Sequence, residues 1–254
     1  MNISIIANNF FLVLVLFQCS LYAQERVSDR KIRIPSVNLN AGFHLPGGDL
    51  KERFGSSFMF GVGYQLKHET NFYWGIEASA LVGSDVRELD AIEIITVDNG
   101  DVVDVNGNIA RVRFWERGAH SQLILGKIIS VIGPNENSGI FFQAGMGYLY
   151  HKIRIEDFGN ATPQLHDDLK KGYDRLCMGF TSSQVLGYRH FSNHHRINFY
   201  IGLEFIQAFT EDVRAYDYNT KSAYQDKRLD LLSGLKFGWT LPLFQKTDNQ
   251  YYYH

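Results

Sequence analysis

The sequence predicts an all-β fold: an eight-stranded antiparallel transmembrane β-barrel with long extracellular loops, one of which forms a β-meander extension. Three observations predict it. Eight runs alternate apolar with small or polar residues at period two, so each run has one greasy face. The segments between the runs are short and long in strict alternation, as when brief periplasmic turns oppose extended outer loops. The last run, residues 229–243, sets Leu235, Phe237, Trp239 and Leu241 against Gly234, Lys236, Gly238 and Thr240. Large aromatics toward lipid and small or polar side chains toward a lumen are what a closing membrane strand requires.

Each run carries the pattern with its own variations. Residues 37–45 set Val37, Leu39, Ala41, Phe43 and Leu45 against Asn38, Asn40, Gly42 and His44. Residues 57–66 set Phe58, Phe60, Val62, Tyr64 and Leu66 against Met59, Gly61, Gly63 and Gln65, and residues 72–82 set Phe72, Trp74, Ile76 and Val82 against Tyr73, Gly75 and Glu77. In residues 119–129, Leu123, Leu125 and Ile129 share their face with Lys127, which near a strand end can snorkel. Residues 140–153 oppose Phe142, Met146, Tyr148 and Tyr150 to Gln143, Gly145 and Gly147. Residues 176–188 are the weakest run, because Ser182 and Gln184 interrupt the apolar face. Residues 197–209 oppose Phe199, Ile201, Leu203 and Phe205 to Tyr200, Gly202 and Glu204.

The connections 68–71, 130–139 and 192–196 are short or moderate, whereas 46–56, 83–118, 156–175 and 210–228 are long. Eight strands then leave both termini in the periplasm. The second long loop contains strand-like residues 91–97, 101–105 and 108–115, separated by Asp98-Asn99-Gly100 and Asn106-Gly107. Asn-Gly between β runs signals a tight hairpin, since both central residues need positive φ. The loop therefore reads as a three-stranded meander. Its Asp98, Asp101 and Asp104 do not form an EF-hand, because the sixth and twelfth positions counted from Asp104 are Ile109 and Trp115.

A net charge of −2 gives no electrostatic case for nucleic acid. Residues 10–17, FFLVLVLF, have the length of a signal-peptide core, and residues 1–23 read as a leader cleaved after Ala23. Cys19 would be the lipidated residue of a lipoprotein, but Gln18 stands where that signal needs a small residue. After removal only Cys177 remains, so no internal disulfide forms. Residues 24–254 form one outer-membrane domain on this reading. A soluble lipocalin-like barrel also has eight strands, but with the faces reversed.

The inward phase places Gln65, Glu77, Gln143, Glu204 and Lys236 in the lumen as a polar plug, in a barrel too narrow for a channel. At the outer mouth, Trp115, Arg117, Tyr173, Arg175, Tyr216 and Tyr218 supply the residue types enriched in protein–protein hot spots. They are the candidate contacts for a protein partner in the envelope, and no cofactor or metal is expected. His166, Asp167 and Asp168 could serve acid–base work, yet no nucleophile stands at a fixed spacing from them. The Tyr251–Tyr253 tail suits a membrane–water interface, and Asn160-Ala161-Thr162 matches a glycosylation sequon by pattern alone.

The alternating strands, the loop asymmetry and the closing spacing Gly234, Phe237, Trp239 resemble the small OmpA/OmpX-like class of eight-stranded outer-membrane barrels. The signal usually has a polar residue two before the Gly, where this chain has Leu232. Pro46-Gly47-Gly48-Asp49-Leu50 and the Ala23-Gln24 junction more loosely resemble PorT-like barrels of envelope secretion or assembly machines. The resemblance implies an outer-membrane barrel, and the outer-mouth residues make it a non-enzymatic one that presents its loops to a protein, as an accessory subunit of an envelope complex, with a lipid-modifying enzyme or a purely structural barrel as alternatives. Enzymatic barrels of similar size include a lipid A palmitoyltransferase and a lipid A deacylase. The deacylase's His-x-Ser pattern is present as His190-Phe191-Ser192, but the topology puts it at a periplasmic turn.

Overall fold

The computed structural model describes residues 30–88, 92–93, 95–97, 101–159, 162–165, 167–193, 197–214, 216, 218 and 227–243. The expected leader, Asn160 and Ala161 of the sequon, the expected Asp98-Asn99-Gly100 turn, His166 and the tyrosine tail lie outside them. Eight strands follow one another around a closed ring: β1 (Ile34–Gly48), β2 (Ser57–Lys67), β3 (Phe72–Gly83), β4 (Arg111–Ile129), β5 (Gly139–Phe158), β6 (Cys177–His190), β7 (Phe199–Asp212) and β8 (Lys227–Pro242). Each strand pairs antiparallel with its chain neighbour, and β8 closes on β1 with Leu39 opposite Trp239 and Phe43 opposite Leu235.

The greasy phase of every run faces outward. Leu39, Phe60, Trp74, Leu125, Phe142, Phe180, Leu203 and Phe237 are exposed, and Met146 is 77% exposed. A soluble chain would not leave such a continuous apolar wall in water. With polar groups inside, this excludes the lipocalin arrangement and makes the chain an integral outer-membrane barrel. Within the ring each strand is paired on both sides, so the wall can sit in hydrocarbon. Such a barrel is expected to run faster unboiled than boiled on a denaturing gel and to show β-type circular dichroism. Absence of the mobility shift would contradict the closed ring.

Two turns illustrate the local chemistry. Asn71 adopts φ 63 in the β2–β3 turn, and its carbonyl accepts from Ile128 while its side-chain amide donates to Glu136 O at 2.9 Å. Gly139, at φ 155, opens β5, and a Cβ there would lie 2.2 Å from Ile129 O. Only glycine tolerates both conditions.

Several strands exceed the periodic runs. β4 begins at Arg111 and β5 ends at Phe158, so this pair stands well beyond the others. The meander is present in a minimal form. Thr96 bridges Val102, Val103 bridges Ile109, and the third expected run continues into β4, paired with β5. Asp104 explains the turn: its carboxylate accepts the backbone N–H groups of Asn108 at 2.9 Å and Asn106 at 2.7 Å, which hold it below the ordinary carboxylate range.

Candidate functional site

The lumen is filled in three layers, and each has a sequence cause. Nearest the periplasm, Tyr73, Phe141 and Tyr200 point inward around the Arg189 guanidinium, whose carbon lies 4.6, 5.1 and 4.7 Å from the three ring centroids. Tyr200 lies against Gly238 and Tyr73 against Gly126, where a Cβ would come within 2.2 and 2.3 Å of the rings. The glycines on the inward face thus make room for the aromatics directly opposite them on the neighbouring strand. Phe191 and Ile34 close the base below them.

The middle layer is ionic. Lys236 Nζ donates to Glu77 Oε2 at 2.7 Å and to Glu204 Oε1 at 2.9 Å. His44 Nε2 lies 3.0 Å from Glu204 Oε2, and Gln122 Nε2 donates to Glu77 Oε2 at 2.9 Å. Gln65 links this layer to the one below: its Nε2 donates to Glu77 Oε1 at 3.3 Å while its Oε1 accepts from Arg189 at 2.7 Å. Gln143 Oε1 accepts from Tyr73 at 3.2 Å. Two carboxylates, one ammonium and one guanidinium therefore balance with neutral amides between them, which is how a buried charged network avoids an uncompensated member.

Above it the expectation of a small, polar lumen is corrected. Met59, Leu81, Leu149, Ile206 and Leu232 point inward and pack with Leu50, Phe54, Ile92, Leu165 and Tyr173 from the outer loops. Helix α1 (Leu50–Arg53) carries the first of these into the mouth. Hydrophobic loop residues folding back into the ring require a hydrophobic ring to receive them, so the inward phase turns apolar at this end. Leu232, the departure from the closing-strand signal, belongs to this layer.

A polar latch runs through the plug. Arg53, fully buried, pairs with Glu88 and donates to Cys177 Sγ at 2.8 Å and to Arg175 O at 3.1 Å. Cys177 in turn donates to Asp212 at 3.2 Å, and Arg175 also pairs with Glu88. Burial opposes the Arg53 charge, but Cys177, Glu88 and Asp212 outweigh it and raise its pKa. Beneath Phe54, whose ring meets the His151 ring edge-on at 5.7 Å, His151 Nε2 lies 2.9 Å from Asp230, which also accepts from Thr210.

The six outer-mouth candidates separate into three places. Tyr173 and Arg175 are buried in the plug, which corrects their placement on an open rim. Tyr218 is half-buried at its top, 5.3 Å from Tyr173, and Tyr216 beside it is 45% exposed. Trp115 and Arg117 sit on the outward wall of β4, with the guanidinium 5.2 Å over the indole. Gln122 and Arg189 were missed as lumen residues, although each lies in the inward phase of its strand, and His44, read on the inward face, was not counted in the polar plug. His190 and Ser192 do not meet: the His190 ring stacks on Phe199 outside the wall, and Ser192 N–H donates to Asn198.

No family model matches the chain, and no curated protein matches it in sequence. Among solved structures it is similar to Ail, the attachment invasion locus protein of Yersinia pestis. One structure of that protein has a TM-score of 0.37 and 10% identity, covering 83% of this chain and 99% of Ail. A second, in complex with the heparin analogue sucrose octasulfate, has a TM-score of 0.35 and 10% identity, covering 82% of this chain and 97% of Ail. The fold assignment rests on the strand register itself.

Proposed function

We propose that the chain is a plugged, non-enzymatic barrel that anchors its outer loops in the membrane and presents them to a protein partner, as an accessory subunit of an envelope secretion or assembly complex. One observation carries the reading. The lumen is packed from base to mouth, while the minimal meander above β4 leaves Val105 67% and Ile109 66% exposed, with Val97 and Val103 beside them. A small apolar tip on a rigid stalk is a docking feature. Tyr216 and Val213 extend the exposed apolar surface on another outer loop.

The His151–Asp230 pair gives a lipid-modifying enzyme little support. Both groups are sealed under Phe54 and face the lumen, so an acyl chain in the bilayer does not reach them, and among the described residues no nucleophile bonds the second His151 nitrogen. The test is affinity capture from native envelopes. Val105→Asp with Ile109→Asp is expected to abolish recovery of a stoichiometric partner while the gel shift of the barrel stays intact. Undiminished recovery would remove the meander from the interface.

A further inference from the structure

The outward face of the β4–β5 stalk carries charges whose position relative to the bilayer is readable from the strand itself. Outward residues of β5 run Ile140, Phe142, Ala144, Met146, Tyr148, Tyr150 and then Lys152 and Arg154. The stretch from 140 to 150, tilted as in such barrels, rises about 25 Å, the height of the lipid-facing band. Tyr148 and Tyr150 are its aromatic girdle. Lys152 is therefore the first outward side chain past the hydrocarbon, and on β4 the corresponding residue is Arg117, directly opposite it, with Trp115 opposite Arg154.

Like charges directly opposed across a strand pair cost stability unless something anionic lies between them. Arg117 Nη1 finds only carbonyls, Glu116 O at 2.7 Å and Gly83 O at 3.5 Å, and no carboxylate pairs with it among the described residues. Lys152 reaches Asp174 at 3.2 Å, but that carboxylate is also held by Arg214 Nε at 2.7 Å. Glu156 accepts the Trp115 indole N–H at 3.1 Å and stands 4.0 Å from Arg154. A groove of about 600 Å³ opens here, its charged border made of Arg117, Lys152, Arg154 and Lys170 against Glu156, Asp157 and Asp174. That volume accommodates a small headgroup.

We infer that this groove is a binding site for the phosphate of an outer-leaflet glycolipid headgroup, held by Arg117 and Lys152 beside Trp115. Arginine offers phosphate a two-pronged donor set and lysine a point charge, and both lie at the depth where a lipid phosphate sits. The site gives the stalk a fixed lipid neighbour below its apolar tip.

The test places the full mature chain in phosphatidylcholine bilayers containing diphosphoryl lipid A, captures it, and measures retained lipid A by mass spectrometry. Arg117→Gln with Lys152→Gln is expected to lower the affinity about 30-fold, at about fivefold per charge near a membrane surface. Enzymatically dephosphorylated lipid A should be lost to the same extent, and free inorganic phosphate should not compete. Arg87→Gln, which removes an exposed charge of the β3–β4 loop that does not line the groove, should leave retention unchanged. The inference is overturned by undiminished retention in the double variant, by equal retention of the dephosphorylated lipid, or by an equal loss in the Arg87 variant. Competition by free phosphate would also overturn it, marking a soluble-anion site instead. The gel shift reports folding of each variant.

Discussion

Replacing Lys236 with Met is expected to lower the stability of the barrel by roughly 3–5 kcal/mol, the usual loss when one partner of a buried ion pair is removed. The reason is geometric. Lys236 is the only cation bonded to both Glu77 and Glu204 among the described residues, and all three side chains are sealed inside the ring. Among the described residues Arg189 hydrogen-bonds to the same network through Gln65 and makes no direct ion pair with either carboxylate. Methionine keeps most of the volume, so the loss reports charge and not a cavity. The urea midpoint of the gel shift, in lipid vesicles, measures it. Adding Glu77→Gln and Glu204→Gln to the Met variant should recover most of the loss, because neutral amides need no counter-charge. A shift below about 1 kcal/mol would mean that water compensates the carboxylates.

Arg53→Ala should open the outer plug without unfolding the ring. Arg53 joins α1 to Glu88, Cys177 and the Arg175 carbonyl, but it takes no part in the strand ladder. Losing a buried, paired charge costs on the order of 3 kcal/mol, and here the cost falls on a local opening. Cys177 is the readout: it is fully buried in the native state and is the free cysteine among the described residues. Its labelling by a membrane-impermeant maleimide should accelerate about 100-fold, as that free-energy change dictates. Unchanged labelling would assign closure to the apolar cluster around Leu50 and Phe54 alone.

The outward half of this barrel was legible because a lipid-facing residue has one permitted character. Phe60, Trp74 and Phe237 alternate with glycines and polar residues, and the phase survives even the Ser182 and Gln184 interruption on β6. Gln184 resolves that interruption by pairing reciprocally with Gln207 on β7, at 3.2 and 3.0 Å, a cross-strand contact no single run reveals. The inward half was harder. A lumen side chain can be charged, aromatic or aliphatic according to what crosses from the far wall, so Glu77 and Lys236 stood out while Leu81 and Ile206 did not. Tyr173 and Arg175 resembled rim residues because their burial depends on a loop folding back into the ring. Arg189 was hidden by its weak strand, though Thr181 and Ser183 fix its phase.

Ring closure has a consequence for how the chain is made. Seven seams of the barrel join strands adjacent in sequence, whereas the eighth brings Ser36 against Pro242 and Asn38 against Thr240, from the first strand and the last. Seven hairpins can form as local units, but the ring stays open until β8 arrives. The entropic toll of that last encounter is modest: lengthening a loop from about 25 to about 200 residues is three doublings, about 2 kcal/mol. The kinetic toll is larger, because sequence-distant pairing is slow and leaves the β1 edge bare meanwhile. Closure thus waits on β8, and that strand decides when the ring shuts.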